Sequence, residues 1–168
     1  MSGATIAGRA WLFGDDINTD LILPNRAQYL PVAEQVTFVF VANRPGWLDQ
    51  VAPGDIVVGG RNFGMGSSRP AARSLKALGI GALVAESING LFFRNAVNWG
   101  FPALACPGIA AAVAEGDRLE IALERAEVRN ATRGTALVGR PIPAPLLALM
   151  RAGGIFPLLA AEGLIAAP

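Results

Sequence analysis

Hydrophobic and polar positions alternate along the middle of the chain in a pattern that predicts strands and helices in turn. From Asp55 the sequence reads DIVVGG, a short apolar run typical of a buried strand, and then SSRPAARSLKALG, a helical segment that ends at Gly79. IGALVAE predicts a second buried strand, and INGLFFRNAVNWG predicts a second helix that ends at Gly100. This β-α-β-α order is typical of a layered α/β fold.

The segments on either side of this core are shorter and more varied. Near the N-terminus, TIAGRAWLF predicts a strand that ends at the turn residues Gly14, Asp15 and Asp16. Beyond FPALACP come DRLEIALER, AEVRN and TALVGRPI, separated by turn residues, and then APLLALMRAGG, which predicts a C-terminal helix. The chain contains no internal repeat, linker or low-complexity segment, so we expect one domain over residues 1–168.

The residues between Gln28 and Val51 carry conflicting signals. VTFVFV has the β-branched and aromatic content of a strand. PVAEQ, in contrast, opens as helices often do, with a proline, Pro31, at its first position. The local pattern alone leaves both structures open for this segment.

Composition narrows the classes to which the protein can belong. Its 168 residues are 52% hydrophobic, enough for one domain with a substantial core. The formal net charge is +1 and no basic cluster is present, which argues against nucleic acid as a partner. The longest uncharged stretch, 95–114, is broken by glycine and proline, which argues against a membrane helix. The N-terminal residues do not resemble a secretory signal, so we expect a cytoplasmic protein.

The chain has one cysteine, Cys106, and no histidine. A single cysteine excludes an internal disulfide, and it excludes any iron–sulfur or zinc site ligated by cysteines of this chain alone. We therefore expect no cofactor to be held by this chain alone, and we interpret Cys106 as a small buried apolar residue.

A glycine-rich turn between the first strand and the first helix of the core is the main candidate for chemistry. It reads GGRNFGMGSSRPAA, from Gly59 to Ala72. The turn lacks the third glycine of a dinucleotide-binding loop, because Arg69 stands there, and it lacks the lysine of a P-loop. Ser67 and Ser68 at a helix N-terminus would stabilise an anion, and Arg69 adds a planar fork that matches a carboxylate.

A plainer interpretation fits the same residues. Ser67 or Ser68 could serve only to cap the helix, with Pro70 in its first turn and Arg69 solvated. The flanking glycines favour a functional turn, because they cost conformational entropy that a simple cap does not require.

Three segments together resemble a known family: GRNFGMGSSR, GDDINTDLILP upstream of it, and GALVAESINGLFFRNAVNWGFPAL downstream. They are similar, in order and spacing from Ala10 to Ile109, to the small subunit of isopropylmalate isomerase, the swivelling domain of the aconitase superfamily. The resemblance implies a single swivelling domain of the α/β class, layered β/β/α, with a mixed sheet around the βαβα core. It also favours helix over strand for VTFVFV, within a loop that varies with substrate.

In that family the swivelling domain closes over a larger subunit, which holds a 4Fe-4S cluster on three cysteines. The resemblance therefore implies a large-subunit partner that carries the cluster, and activity only when the two subunits are together. The implied enzyme is a hydro-lyase, which removes water from a hydroxy dicarboxylic acid and adds it back with the hydroxyl on the neighbouring carbon. The expected substrates are 2-isopropylmalate and 3-isopropylmalate, in leucine biosynthesis.

The resemblance also assigns roles to individual residues. It implies that Ser67 is the general base, which takes a carbon-bound proton. It assigns substrate binding to five residues: Ser68, Arg69, Asp20, Arg26 and Gly66. Asp20 has an alternative role as a turn or N-cap residue. An arginine usually follows the proline of this motif closely, but Arg26 stands an extra residue or two beyond that position, and Arg94 is expected to be structural.

One departure from the family bears on the substrate. Where the family commonly reads GSSREHA, this chain reads GSSRPAA, with Pro70 and Ala71 in place of an acid and a histidine. The proline suits a helix start, but a residue pair that could support the site is absent. Two alternatives therefore stay open: a dehydratase that acts on methylmalate or dimethylmalate, and a non-catalytic anion-binding module.

Overall fold

The computed structural model of the protein describes residues 4–67 and 69–166. Its strands are β1 (Ile6–Leu12), β2 (Ile56–Gly59), β3 (Ala82–Ala85), β4 (Ala103–Ala105), β5 (Arg118–Ala122), β6 (Glu127–Asn130) and β7 (Thr135–Val138). Its α-helices are α1 (Thr19–Ile22), α2 (Val32–Gln35), α3 (Ala71–Leu78), α4 (Gly90–Asn98), α5 (Ile109–Ala112), α6 (Ala144–Arg151) and α7 (Ile155–Ala161). Short 3₁₀ helices lie at Asn25–Ala27, Val36–Phe38, Trp47–Asp49 and Leu123–Arg125.

The strands form one mixed sheet in the order β4-β3-β2-β1-β5-β6-β7. From β1 to β4 each neighbouring pair is parallel, as the helical connections between these strands require. From β1 through β5 and β6 to β7 each pair is antiparallel. β1 belongs to both halves, because residues 6–9 pair with β5 and residues 10–12 pair with β2.

Side chains from the strands fill two hydrophobic cores, one on each face of the parallel half. Trp11, Val57 and Leu83 belong to the core beneath α3 and α4. The alternate positions, among them Ile56 and Val84, belong to a second core that is shared with the antiparallel strands. Successive side chains of a strand point to opposite faces, so a strand buried on both faces is a continuous apolar run. The layers are helices, parallel strands and antiparallel strands, and the predicted β/β/α arrangement is confirmed.

The strands and helices predicted for the βαβα core are present, and glycine ends its helices. α3 stops at Gly79, whose φ is +94°, and Gly100, with a φ of +63°, follows closely after α4. Glycine adopts this left-handed conformation without the penalty that a Cβ atom brings, so it allows the chain to leave the helix.

α3 begins later than the sequence predicted. The prediction placed Ser67 and Ser68 at the helix start, but the first helical residue is Ala71 and the N-cap is Pro70. The Pro70 carbonyl accepts the first helical hydrogen bond, from the N–H of Ser74. Ser67 therefore lies in the turn before the helix, and Ser68 lies outside the described residues.

The segment 28–51 forms short helices and turns instead of a strand. α2 leads directly into the 3₁₀ helix Val36–Phe38, so the helical structure favoured for VTFVFV is confirmed. The apolar side chains serve the core under the helices: Val39 and Phe40 are buried, and Phe40 stacks on Phe13 with ring centroids 4.1 Å apart. Burial in a packed core has overridden the local β-propensity.

The C-terminal part of the chain forms two helices, of which the sequence predicted α6 but not α7. α7 packs across α4, where the Phe156 ring lies 5.9 Å from that of Trp99. Within the described residues, no single helix has the length and apolarity needed to cross a membrane. α6 and α7 meet that criterion only as a pair, and an 83° bend separates them.

Candidate active site

The glycine-rich turn follows β2, at the edge where the parallel strands of the sheet end. Its middle is fixed by Phe63, a fully buried residue whose backbone bonds to Ser87 and Asn89 beyond β3. The Phe63 ring meets the ring of Phe92 in α4 edge-on, with centroids 5.6 Å apart. In α/β sheets, the carboxyl edge of parallel strands is the usual position for a ligand site.

Gly64 is a position where glycine is strongly favoured. Its φ is +80°, and a Cβ atom at this position would lie 2.3 Å from the ring of the buried Phe92. Its N–H donates to the carbonyl of Ile17 at 2.7 Å. Glycine therefore lets the turn pass closely between α4 and the N-terminal GDDINTD motif.

The GDDINTD motif is bonded to the turn along much of its length. Asp15 and Arg61 form an ion pair at 2.9 Å. Hydrogen bonds from the Arg61 backbone N–H and then from its guanidinium hold the pKa of Asp15 below its ordinary value. Farther along, the Thr19 N–H donates to the carbonyl of Met65 at 2.9 Å. The two sequence motifs thus form one structural unit.

Ser67, Arg69 and Asp20, here called the serine–arginine group, come together at this edge. Arg69 Nε donates to Ser67 Oγ at 3.1 Å, and Arg69 Nη2 lies 2.5 Å from Asp20 Oδ1 in an ion pair. Nη1 of Arg69 makes a longer hydrogen bond, 3.4 Å, to the carbonyl of Leu23. The Arg69 side chain is only 10% exposed, whereas that of Asp20 is 62% exposed and Ser67 faces solvent. A mostly buried guanidinium therefore supports a hydroxyl and a carboxylate at the surface.

These contacts decide between alternatives that the sequence left open. Asp20 does not cap α1, because Asn18 occupies the N-cap and its side chain accepts a backbone hydrogen bond at 2.9 Å. Arg69 is not a solvated side chain, and Pro70 is the N-cap of α3. The prediction that Ser67 sits at a helix N-terminus is wrong. Its hydroxyl accepts a hydrogen bond from Arg69 Nε instead of from the backbone of a helix.

Gly66 and Ser68 flank the candidate base. Gly66 has a φ of +110°, a conformation that glycine adopts readily and other residues rarely adopt. Ser68 falls between the two described ranges, so the carboxylate-binding role expected for it stays a prediction.

Arg26 lies apart from the serine–arginine group. It is exposed on the 3₁₀ helix Asn25–Ala27, and its guanidinium lies 5.2 Å above the ring of Phe38. Over residues 4–67 and 69–166, no hydrogen bond or ion pair joins Arg26 to that group. Arg94 is likewise exposed, on the outer face of α4.

Sequence reasoning missed residues that hold the two motifs together. The side-chain amide of Asn62 donates to Asp16 Oδ1 at 3.1 Å and contacts Met65 Sδ at 3.2 Å. Asn62 has a φ of +58°, a region in which asparagine is enriched, so the RNFG tetrapeptide held a signal for this turn. Asn62 and Arg69 also bond to Asp16 and Asp20, which lie in a distant part of the chain, and no local pattern indicates these contacts.

The described residues do not fit a metal ion or an iron–sulfur cluster. Among residues 4–67 and 69–166, no group of three or more His, Cys, Asp and Glu side chains could hold a metal ion. Cys106 is buried, as predicted, and burial together with the charge of Glu86 raises the pKa of its thiol to about 11. Metals bind the thiolate, which this environment disfavours. We therefore assign no step of the chemistry to a metal ion or cluster bound by this chain.

Comparison with known proteins identifies the fold and the family. Residues 15–107, more than half of the chain, match the aconitase C-terminal domain. The fold is similar to the crystal structure of a 3-isopropylmalate dehydratase from Methanocaldococcus jannaschii, with a TM-score of 0.89 and 30% identity over 96% of both chains. The fold is thus that of an aconitase-type swivelling domain.

Curated relatives cover nearly the whole chain. The isopropylmalate/citramalate isomerase small subunit of Methanocaldococcus jannaschii is 45% identical over 156 residues, which are 92% of this chain and 93% of that protein. The 3-isopropylmalate dehydratase small subunit of Pyrobaculum calidifontis is 45% identical over 157 residues, 92% of this chain and 96% of that protein. The chain belongs to the family of 3-isopropylmalate dehydratase small subunits, a family of hydro-lyase subunits.

Proposed function

We propose that this chain is the small subunit of a heteromeric hydro-lyase that moves a hydroxyl group between neighbouring carbons of a branched hydroxy dicarboxylic acid. The substrates we assign are 2-isopropylmalate and 3-isopropylmalate, in cytoplasmic leucine biosynthesis. The observation that carries the proposal is the contact between Arg69 and Ser67, in which an exposed hydroxyl accepts a hydrogen bond from a mostly buried guanidinium. Membership of the family supports the reaction type.

Ser67 is the base that removes the carbon-bound proton as the hydroxyl leaves the neighbouring carbon. A serine hydroxyl is a weak base near neutral pH, because its alkoxide forms only where nearby donors stabilise it. Arg69 Nε, 3.1 Å from Ser67 Oγ, supplies such a donor with a permanent positive charge. Because the arginine side chain is mostly buried, water screens this interaction less than it would at the surface. In the return step water adds back, and Ser67 returns a proton to the other carbon.

Arg69 also binds a substrate carboxylate in this proposal. Its planar fork can make two parallel hydrogen bonds to a carboxylate, but Nη2 is paired with Asp20. Asp20 is largely exposed, so its attraction for Arg69 is partly screened, and a substrate carboxylate can take its place at Nη2. The Asp20 side chain then remains in the site, beside the substrate. Three further residues are assigned to substrate binding from the family resemblance: Gly66, Ser68 and Arg26.

The chain supplies only part of a complete site. Ser67 lies open to solvent, and the described residues contain no metal-binding group. We assign the 4Fe-4S cluster to a large subunit that covers the glycine-rich turn and closes the site around the substrate. The words "small subunit" in the names of the relatives support such a partner.

A smaller substrate is the second candidate. The Methanocaldococcus jannaschii relative is named for citramalate, a methylmalate, as well as for isopropylmalate. In this chain Pro70 and the fully buried Ala71 offer no polar side chain to the site. A difference of one or two methylenes changes discrimination by only about 1–3 kcal/mol, so one site can serve both acids. Isopropylmalate, methylmalate and dimethylmalate should therefore be compared in one assay.

Reconstitution with the large subunit tests this proposal. The large subunit of the same organism is loaded with its cluster under anaerobic conditions and titrated with this chain. We expect neither subunit to convert substrate when it is assayed alone. Activity, followed as the ultraviolet absorbance of the unsaturated acid, should rise with added chain and saturate when every large subunit is occupied. A complex that forms but leaves all three acids unchanged would contradict the proposal and favour the anion-binding module.

A further inference from the structure

Thr19 carries a buried hydroxyl without a hydrogen-bond partner, directly beside the candidate base. The residue is 3% exposed, and its Oγ1 is shielded from solvent and unpaired among the described residues. Buried hydroxyls are nearly always hydrogen-bonded, because removal from water without a replacement bond costs free energy. An exception of this kind at the edge of a proposed active site requires an explanation.

Both backbone groups of Thr19 are hydrogen-bonded, so within residues 4–67 and 69–166 only its hydroxyl lacks a partner. Its N–H donates to the carbonyl of Met65 at 2.9 Å, and its carbonyl accepts from the N–H of Leu23 at 2.9 Å. Threonine hydroxyls in helices often bond to a carbonyl three or four residues earlier. Thr19 is the first residue of α1, so the residues before it are not helical and present no carbonyl in that position.

The unpaired hydroxyl faces Gly66, the residue before Ser67. A Cβ atom placed on Gly66 would lie 3.0 Å from Thr19 Oγ1, so the hydroxyl rests against the backbone of the turn. Gly66 has a φ of +110°, and glycine can change its backbone angles at low cost. A rotation at Gly66 therefore changes how the peptide between Gly66 and Ser67 is turned toward the hydroxyl.

Neighbouring contacts already fix the turn on both sides of this point. Met65 is held by the N–H of Thr19, and Arg69 is held by Asp20, the residue after Thr19. The peptide between Gly66 and Ser67 lies between these two anchors. Its position decides where the Ser67 hydroxyl points.

We propose that Thr19 is a positioning residue whose hydroxyl bonds to the peptide between Gly66 and Ser67 in the assembled, substrate-bound enzyme. The bond forms when the large subunit and the substrate close on the turn, and it fixes the direction of the Ser67 hydroxyl toward the carbon-bound proton. In the free subunit the hydroxyl has no hydrogen-bond partner among the described residues, which costs stability. This inference rests on the proposed function, because it requires Ser67 to be the base.

Two substitutions separate this role from a structural one. Thr19→Val keeps the shape of the side chain and removes the hydroxyl, whereas Thr19→Ser keeps the hydroxyl. We expect Thr19→Val to unfold at the same temperature as the parental chain or a higher one, because it removes an unpaired polar group. In the reconstituted enzyme the same variant should lower kcat by about 10- to 100-fold with KM within a few-fold, since a displaced base slows chemistry more than binding. Thr19→Ser should retain the parental kcat.

Thr132→Val is the matched control. The Thr132 hydroxyl already accepts a hydrogen bond from the Arg118 N–H at 2.8 Å, in the turn between β6 and β7. We expect this control to have the opposite signature, a lower unfolding temperature and an unchanged kcat.

Three results would overturn the inference. The first is a parental kcat for Thr19→Val in an active complex. The second is a loss for Thr19→Ser as large as that for Thr19→Val, and the third is a clear destabilisation of the free subunit by Thr19→Val, which would mean that the hydroxyl is already paired. If the parental complex itself has no hydro-lyase activity, the proposed function fails, and the inference fails with it.

Discussion

Arg69 joins the two sequence motifs of the site through one side chain. Its three nitrogens reach Ser67, Asp20 and the Leu23 carbonyl, so the guanidinium is fixed before any substrate arrives. Donors that are already in place need no reorganisation when charge develops during a reaction. The sequence shows SSR and NTD as separate motifs, and only the fold shows that one arginine connects them.

Removal of the Ser67 hydroxyl tests the base directly. In the reconstituted enzyme, Ser67→Ala should lower kcat by on the order of 10² to 10⁴, the range expected for a lost general base, with KM within a few-fold. Ser67 is exposed, and its side chain does not cap α3, so the unfolding temperature should stay close to the parental value. Steady-state kinetics measure kcat and KM, and thermal unfolding measures the change in stability. Size-exclusion chromatography checks that the variant still assembles. Parental turnover in the assembled variant would place the base elsewhere.

Arg69→Lys tests whether the planar fork matters beyond its charge. One ammonium group cannot contact Ser67 and Asp20 as three guanidinium nitrogens do, so kcat should fall and KM for the carboxylate substrate should rise. Arg61→Lys is the matched control in the same turn: its side chain is 78% exposed and paired with Asp15. We expect that control to stay within about two-fold of the parental kcat, as exposed ion pairs contribute little. Equal losses in the two variants would show that Arg69 acts only as a surface charge.

Gly64 offers a test of close packing at the site. Gly64→Ala places a methyl group against the buried Phe92 ring, whereas Gly116→Ala places one in open space at a similar φ of +88°. Both variants should lose stability, because alanine is unfavourable at a positive φ. We expect Gly64→Ala to lose about 1–3 kcal/mol more, the usual range for overpacking, as measured by urea unfolding. Equal losses would mean that Phe92 moves aside freely.

At the level of elements, the sequence predicted those whose signals are local. β2, β3, α3 and α4 follow from apolar runs and terminal glycines, which act within a few residues. The predicted start of α3 was wrong, because serines before a proline resemble a helix cap. In the structure Asp20 and Leu23, which are distant in the chain, hold Arg69 outside the helix. α7 went unpredicted, since its stability comes from packing on α4 and it contains Pro157.

One buried side chain explains why the segment 28–51 packs against α3 instead of joining the sheet. Gln35 Nε2 donates to the carbonyls of Gln28 and Leu30 at 3.0 and 2.9 Å, and Ser74 Oγ of α3 donates to Gln35 Oε1 at 2.8 Å. The amide satisfies loop carbonyls that a strand would have paired with the sheet. A glutamine in PVAEQ gives no sign of these partners, so propensity could not decide between helix and strand.

The turn that precedes β5 contains a carboxylate with a consequence for acid stability. The Ala114 backbone N–H, the Asn130 amide and the Arg133 guanidinium donate to Asp117, and together they lower the pKa of its carboxyl to about 2. A carboxyl whose pKa is lower in the folded state than in the unfolded state stabilises the fold above the unfolded value of about 3.9. This contribution should be lost as the pH falls from about 5 to about 2.

Asp117→Asn should therefore be less stable than the parental chain at pH 7, and the difference should shrink toward pH 2. Urea midpoints measured across this range test the expectation. Asp49→Asn, at an exposed position in the 3₁₀ helix Trp47–Asp49, is the control and should keep the parental midpoint at pH 7. A difference for Asp117→Asn that does not change with pH would show that the charge of Asp117 is not what stabilises this turn.

For the molecule as a whole, the proposed partner must cover the edge at which the parallel strands end. Amide hydrogen exchange in the segment 65–67 should slow when the large subunit is added, because Gly66 and Ser67, which are exposed in the free subunit, then become enclosed. Exchange in the exposed turn 131–134, between β6 and β7, serves as the internal comparison and should not change. Equal slowing in both segments would indicate general stabilisation without contact at the turn.

The dual membership of β1 has a consequence for how the chain comes into being. This strand is synthesised before both of its neighbours, and one of them, β5, follows only after β4 and α5. Pairings between distant segments raise the contact order and slow folding. Until β5 emerges from the ribosome, residues 6–9 of β1 form an open edge of the kind to which other strands can add. The nascent chain is therefore prone to misassembly until β5 has paired with β1 and joined the antiparallel half of the sheet to the parallel half.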